Sequence, residues 1–386
     1  MIYLDYAASA PVRPEVWAAM QPWLGEHAGN PASAHSAGRR ARRALEDSRE
    51  QIAGLLGAFP DEVIFTSGAT EANNLATFGL AGDLPGHFLA SAIEHPCVVE
   101  PMRQLTARGF DVEWLPVDSG GLLQSEVLAE RVRPETRLVA VMLANHETGA
   151  VQDIPSLRGR AGESHFHCDA AQAVGKLRVD FHELGATTLS VSAHKFGGPP
   201  GIGALLLNRC SKIRPLMYGG HQQHGRRPGT EPVALAVGFA AALDSSLQVL
   251  DTETARMRDL RNRFLASLQR DAAPVVVNGP DRGGLPNILN VSFPGCRSDA
   301  LLMALDLAGV MCSTGSACSS GSLLPSPVLI AMGISEARLH SAMRFSFGAG
   351  LEVADIEDAV KRVSQVVARL RATPEDCAST RLHSVP

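Results

Sequence analysis

Apolar and polar positions alternate along the chain with two distinct periods. Ala41, Leu45, Ile52, Leu55 and Leu56 recur at three- and four-residue spacings among charged residues, which predicts one buried face of a helix ending near Gly57. Val63-Ile64-Phe65-Thr66 follows as a short buried strand, Ser67-Gly68 as a turn and Ala69-Thr70-Glu71-Ala72 as the opening of the next helix. Further strands are predicted over residues 88–93, 112–117, 138–144, 165–169, 189–192 and 203–207, with helical stretches between most of them. That order predicts an α/β fold with a mostly parallel sheet flanked by helices. Beyond Thr230 the texture changes to an Ala-rich helix, a charged amphipathic helix over 251–270, strands at 287–293 and 343–347, and a last helix over 355–371. A smaller α+β domain is expected there, followed by a polar tail, 373–386, with little apolar content to dock.

Composition narrows the class. The 386 residues, 45% hydrophobic and 19% charged, describe a folded globular chain with room for two domains. The formal charge of −5 comes with no long basic run, so no direct nucleic-acid partner is expected. The start, MIYLDYAASAPVRPEV, has no basic segment leading into an apolar stretch, and no run approaches the roughly 18 apolar residues of a membrane span. A cytoplasmic location without a membrane partner is the expectation. The seven cysteines, at 97, 168, 210, 296, 312, 318 and 377, form no C-x-x-C pair, so reduced thiols are expected.

Open α/β sheets bind ligands beyond the carboxyl ends of their strands, so the residues just after each strand carry the chemistry. Thr66-Ser67-Gly68-Ala69-Thr70-Glu71 joins a strand to a helix through small residues, leaving backbone amides at a positive helix N-terminus suited to a phosphate. It matches neither G-x-x-x-x-G-K-[ST] nor G-x-G-x-x-G, and alone it is equally an ordinary helix start. Lys195, in Ser192-Ala193-His194-Lys195-Phe196-Gly197-Gly198, lies between an apolar strand and a glycine- and proline-rich turn. Partial desolvation there favours a neutral amine able to form a Schiff base, although a lysine at a strand end is more often solvated. Asp169, in His167-Cys168-Asp169-Ala170-Ala171-Gln172, ends a buried strand, where a carboxylate needs a cationic partner such as a protonated pyridine nitrogen. His165, His167 and Cys168 do not form a metal cluster, because alternate strand residues face opposite sides. An amine for a Schiff base, a carboxylate for a ring nitrogen and a phosphate cradle are the parts that pyridoxal phosphate needs. Ser313 to Gly321 lacks any large side chain and carries Cys318 near its centre, which predicts an exposed loop with an accessible thiol. The other cysteines, Cys97 and Cys168 among them, read as packing or bystander thiols.

Together these motifs resemble the cysteine desulfurases, fold-type I pyridoxal-phosphate enzymes of the class-V aminotransferase group. The resemblance runs from Tyr3-Leu4-Asp5-Tyr6-Ala7-Ala8 and Gly29-Asn30-Pro31-Ala32-Ser33, through Glu94-His95 and Asn145-His146-Glu147-Thr148-Gly149, to the lysine, the cysteine and Arg344-Phe345-Ser346. It implies a mostly parallel sheet of the seven-stranded type, with a large cofactor-binding domain over 15–250 and a small domain from 1–14 and 251–386. It further implies Lys195 as the cofactor lysine, Asp169 as partner of the ring nitrogen, and Gln172 and Asn145 near the ring hydroxyl and the substrate. His95 would stack on the ring and help deprotonate the substrate thiol. Ala69, Thr70, Ser192 and His194 match the family's phosphate contacts, and Thr230 matches a threonine reaching the neighbouring subunit's phosphate, which implies a homodimer. Arg344 would grip the substrate carboxylate.

The activity so implied is conversion of L-cysteine to L-alanine, with the sulfur taken as a persulfide on Cys318 and passed to an acceptor or iron-sulfur scaffold protein. The stretch from Ser313 to Leu324 resembles the longer-loop branch, whose members feed iron-sulfur assembly or tRNA thiolation and in which the same cysteine can transiently ligate a metal cluster. Four positions depart from the family pattern: His221 replaces a glycine, Gln223-His224 replaces a Glu-Arg pair, and Pro200 replaces a lysine. A selenocysteine lyase, or another lyase or aminotransferase, would share Lys195 and Asp169 without needing Cys318. A non-catalytic regulator would not need the lysine.

Overall fold

The computed structural model describes residues 1–315 and 325–372; Cys318 and the tail from Thr373 lie outside the described residues. In chain order the first strands are β1 (Ile2–Tyr3), β2 (Val63–Thr66), β3 (His87–Ser91), β4 (Asp111–Leu115), β5 (Thr136–Ala140) and β6 (His165–Asp169). They are followed by β7 (Thr188–Ser192), β8 (Gly203–Leu207), β9 (Val276–Val277), β10 (Ile288–Ser292), β11 (Val310–Met311) and β12 (Ala342–Ser346). Seven of them form the central sheet in the order β2-β8-β7-β6-β5-β3-β4. All pairs from β7 to β4 are parallel, and only β8 runs against its neighbours β7 and β2. The reversal follows from the connection: the loop from β7 to β8 is too short for a crossover helix, so the chain returns antiparallel.

The helix predicted around Ala41 to Leu56 spans Ser36–Leu55, buries Ala41, Leu45 and Ile52 on one face, and stops before Gly57, whose φ is +61°. It packs on the Ala-rich helix Val233–Gln248 over the sheet. The strand expected over 138–144 is paired only as β5, yet Val141 and Leu143 still donate to carbonyls of His167 and Asp169. The chain therefore stays extended beside β6 as far as Asn145. Expected strands 88–93 and 112–117 end earlier, at Ser91 and Leu115, because the chain turns there into the segments that carry Glu94 and Asp118.

A second core lies among the later elements. β9, β10 and β12 make a three-stranded antiparallel sheet in the order β12-β10-β9, covered by helices Leu250–Asp271, Ser298–Leu307 and Val353–Ala372. Phe264 meets Phe345 and Phe347 at ring-centroid distances of 4.9 and 5.6 Å. All three rings are fully buried, each contributing about 1.5–3 kcal/mol. The N-terminal segment ties the two cores together: β1 pairs with β11 and Asp5 bridges to Ser346, while Ala10 N–H donates to the His194 carbonyl and Arg13 N–H to that of Gly197. No single helix among the described residues is long and apolar enough to cross a membrane.

Candidate active site

The carboxyl ends of β6 and β7, the turn after β2 and the turn after β3 enclose one cavity of about 410 Å³. It is lined by Gly68, Ala69, Thr70, His95, Cys97, His146, Asp169, Gln172, Ser192, His194 and Lys195, together with the N-terminal Ala8. Eight of the sequence-predicted residues, scattered from position 69 to 195, thus meet in one place: Ala69, Thr70, His95, Asp169, Gln172, Ser192, His194 and Lys195.

The phosphate end is built by the backbone. Gly68 precedes the helix Ala69–Ala81 with φ +153°, a conformation that favours glycine, and a Cβ on Gly203 of β8 would lie 2.8 Å from the Gly68 Cα. Two glycines therefore let the loop lie directly on the strand, and the first amides of the helix have no carbonyl one turn back. Glu71 is occupied elsewhere, accepting from Ser67 N–H at 2.7 Å and from Arg227 at 2.7 Å, so it does not fill the cradle. The Arg227 guanidinium and the hydrogen bonds from Ser67 hold its carboxyl below the usual range against the opposing effect of burial.

Asp169 anchors the other end. It is 5% exposed, and no lysine or arginine pairs with it among the described residues. One carboxylate oxygen accepts from Ala171 N–H at 2.9 Å and the other from Asn73 Nδ2 at 2.7 Å. Asn73 Oδ1 in turn faces His167 Nε2 at 2.9 Å, and His167 Nδ1 faces Thr188 Oγ1 at 2.9 Å. Burial holds His167 neutral, its pKa pushed down to about 4. A carboxylate anchored this way, open to the cavity and without a cationic neighbour in an ion pair, suits a protonated ring nitrogen. Gln172 adds to the fit: its Nε2 donates to the Ala7 carbonyl at 2.9 Å while Oε1 is buried without a partner. The residues present thus fit pyridoxal phosphate at both ends.

Lys195 sits between these ends on the turn after β7, and its Nζ donates to the carbonyls of Ala7 and Ala8 at 2.8 and 3.0 Å. His95 caps the helix Pro96–Ala107: its Nδ1 accepts from Cys97 N–H at 3.2 Å and lies 2.8 Å from the Cys97 thiol. A capping Nδ1 is the unprotonated nitrogen, which puts the proton of neutral His95 on Nε2. Burial lowers its pKa and so do Lys195 and Arg344, while Asp169 opposes them. Cys97, expected as a packing or bystander thiol, lines the cavity; it also accepts from Asn73 Nδ2 at 2.9 Å, and burial followed by Asp169 pushes its thiol pKa well up. His194 is held neutral in the same way, pushed down to about 4 by burial and then by Lys195 and Lys176.

Arg344 comes from β12 and is 3% exposed. Its Nη1 donates to the His146 carbonyl at 2.9 Å and its Nη2 to Asp5 at 2.8 Å, leaving a buried Nε unpartnered. Asn145 does not open into the cavity. Its Oδ1 accepts from Glu147 N–H, Thr148 N–H and Thr148 Oγ1, and its Nδ2 donates to the Ile93 carbonyl at 3.0 Å, so the side chain is committed to its own turn. Thr230 is exposed and lines no part of this cavity. Of the departures, Gln223 keeps a structural role: its Oε1 accepts from Arg49 and from Phe65 N–H, both at 2.9 Å. A His87, Asp111 and Glu113 group at the far sheet edge is knit together by Arg131 and Arg133 as an ion-pair network.

Sequence reasoning missed Asn73 and Lys176, and it quoted Glu94, His146 and Glu147 only as motif residues without a role; all five are buried. His167 and Asp169 lie two apart on one strand face, a signal that could have flagged His167, but nothing local marks Asn73 as their bridge.

The class-V aminotransferase family matches residues 2–358, and the chain belongs to that family. Within it the chain belongs with the cysteine desulfurases. It is 42% identical over 375 residues to cysteine desulfurase IscS of Dictyoglomus turgidum, covering 96% of this chain and 95% of that one. It is 39% identical over 379 residues to the human cysteine desulfurase, covering 96% of this chain and 82% of that one. Among solved structures, a NifS-like protein superposes with a TM-score of 0.90 at 32% identity, covering 95% of this chain and 99% of that one. The structure of SspA in complex with cysteine superposes with a TM-score of 0.80 at 36% identity, covering 90% of this chain and 99% of the other.

Proposed function

We propose that this protein is a pyridoxal-phosphate-dependent cysteine desulfurase, converting L-cysteine to L-alanine and retaining the sulfur as a persulfide on Cys318. The observation that carries the reading is one cavity holding an amine, Lys195, a carboxylate without an ion-pair partner, Asp169, and a backbone cradle at Gly68-Ala69-Thr70. Lys195 would hold the cofactor, Asp169 its ring nitrogen, Gln172 its ring hydroxyl, His95 its ring face, and Ala69, Thr70, Ser192 and His194 its phosphate. In this reading residues 15–250 carry the cofactor, while 1–14 and 251–386 supply Cys318 and Arg344. Thr230 reaches the phosphate of a second copy in a homodimer.

When bound, the cofactor supplies an electron sink that loosens the bonds at the amino-acid Cα. Arg344 binds the substrate carboxylate, and the Asp5 carboxylate now on Nη2 marks the place that a substrate carboxylate would take. Lys195 would carry the proton from Cα. Neutral His95 presents its Nε2–H as a donor that orients the substrate sulfur; taking the thiol proton would require the other tautomer, with Nε2 unprotonated. The Cys318 thiolate attacks that sulfur: a sulfur–sulfur bond forms, the Cβ–sulfur bond breaks, and the three-carbon fragment takes up protons to leave as alanine. Asn145 supports this from outside the cavity by fixing the turn that carries His146 and Glu147. The acceptor of the sulfur is an iron-sulfur scaffold or tRNA-thiolation protein in the cytoplasm, and Cys318 can transiently ligate the cluster being assembled.

The test is alanine released from L-cysteine by the cofactor-loaded protein with a thiol reductant, beside the Cys318→Ser variant. Alanine and sulfide in equal amounts from the native protein, and neither from the variant, support the reading. A variant with full activity overturns the role of Cys318.

A further inference from the structure

Lys176 follows β6 on a tight turn, its N–H donating to the Ala173 carbonyl at 3.0 Å. It is 6% exposed, and no carboxylate lies within ion-pair distance of it among the described residues. A buried lysine without a counter-ion is expensive, and a methionine would fill the same space without desolvating a charge. Its Nζ reaches instead to the backbone carbonyl of Lys195 and donates to it. Lys195 is therefore gripped twice, at its carbonyl by Lys176 and at its own Nζ by the carbonyls of Ala7 and Ala8.

Both lysines also line a second cavity, of about 290 Å³, with Arg13, Ser246, Glu253 and Asn287. Asn287 is fully buried there with neither side-chain polar atom partnered, which marks the chamber as a place for water rather than for apolar packing. The charged groups facing Lys176 are Lys195, Arg13 and His194, all cationic or neutral, and Glu253 on the chamber wall is held by Arg256 at 2.8 Å. The field behind Lys195 is thus positive. Burial, then Lys195 and Arg13, bring the Lys176 amine down to about 7, so its charge changes close to neutral pH. The repulsion is mutual, and each lysine disfavours a proton on the other.

We propose that Lys176 is a positioning residue for Lys195, clamping its backbone on the turn after β7 and setting the charge behind its amine. The proposal rests on Lys195 being the cofactor lysine. The clamp fixes where the Lys195 Cα stands, and hence where its nitrogen meets the cofactor. The charge makes the neutral amine more available for that bond and for carrying the Cα proton.

The experiment follows the visible absorbance of the lysine-bound cofactor against pH in native protein and in Lys176→Gln, Lys176→Arg and Lys176→Met, with the pH dependence of cofactor capture by the cofactor-free chain as a second readout. Loss of the cation stabilises the protonated form of the Lys195 nitrogen, so Lys176→Gln and Lys176→Met titrate at least about half a pH unit higher. Lys176→Arg stays charged at every pH, so its midpoint lies with the native protein or below it and never above. Near neutral pH the two uncharged variants capture pyridoxal phosphate several-fold more slowly, roughly the same half unit or more expressed as a rate. Native midpoints in Lys176→Gln, or an equal shift in Lys176→Arg, overturn the proposal. Should Lys176→Met not fold, the comparison of Lys176→Gln with Lys176→Arg decides alone. Lys195→Ala separates the two readings: if that variant keeps the visible absorbance, the cofactor lysine itself has been misassigned, whatever Lys176 does.

Discussion

Glu94 makes a quantitative prediction. It is 4% exposed beside the cavity, with Oε1 accepting from Ser91 Oγ at 2.5 Å and from Met142 N–H at 2.7 Å, and Oε2 buried without a partner. Burial, with a further push from Asp169, raises its pKa to about 8 against the opposing hydrogen bonds from Ser91 and Met142. A carboxyl raised from 4.5 in the unfolded chain to about 8 in the folded one favours folding fully below pH 4.5 and loses that contribution as pH rises through 8. Three and a half units correspond to about 5 kcal/mol over the whole window, and the part between about pH 5.5 and about pH 8.5 is about 3 kcal/mol. Glu94→Gln keeps the acceptor for Ser91 and Met142 but cannot ionise. It carries an unpartnered NH2 where Oε2 was, at a cost of about 1–3 kcal/mol at every pH. Urea unfolding of both proteins at the two pH values isolates the group, since Glu147, raised to about 7, and His167, lowered to about 4, contribute equally to both. The variant gains about 3 kcal/mol on the native protein between the acid and the alkaline measurement. A gap constant within about 0.5 kcal/mol would refute the neutral carboxyl and with it the desolvation argument.

Two further outcomes follow from the same geometry. Asn73→Ala strips a hydrogen bond from the Asp169 carboxylate and leaves His167 Nε2 unpaired, which lowers stability by about 3 kcal/mol and speeds cofactor loss; denaturant midpoints and the rate of decay of cofactor absorbance check both. Arg344→Gln removes the carboxylate fork and raises KM for L-cysteine roughly a hundredfold or more while the cofactor spectrum stays native; an unchanged KM refutes the assignment.

How much of the site was legible depends on whether its signal is local. Asp169 could be read because a carboxylate closing an apolar strand is conspicuous within five residues. Asn73, which holds it, is 96 positions away and looks like any polar residue in a helix. Lys195 was visible through its glycine- and proline-rich turn, whereas Lys176 in Gly175-Lys176-Leu177 reads as a surface lysine until the turn after β6 is seen against the turn after β7. Cys97 read as packing because its neighbours are apolar, but the Pro96–Ala107 helix start aims it at His95. Asn145 shows the converse: the family motif places it near the substrate, while its hydrogen bonds go to its own turn, Ile93 and Met142.

By itself the sequence determined the alternation of strands and helices, the α/β class, the family and the reactive side chains, because periodicity and motif spacing are written over short stretches of chain. Only the tertiary structure decided that β8 is reversed, that residues 5 to 13 cross between the two cores to meet both Arg344 and the Lys195 turn, and that Asp169, Asn73 and His167 form one buried relay. Those features join groups as far apart as Asp5 and Arg344, and they exist because an unpaired charge or polar atom is costly once folding removes it from water.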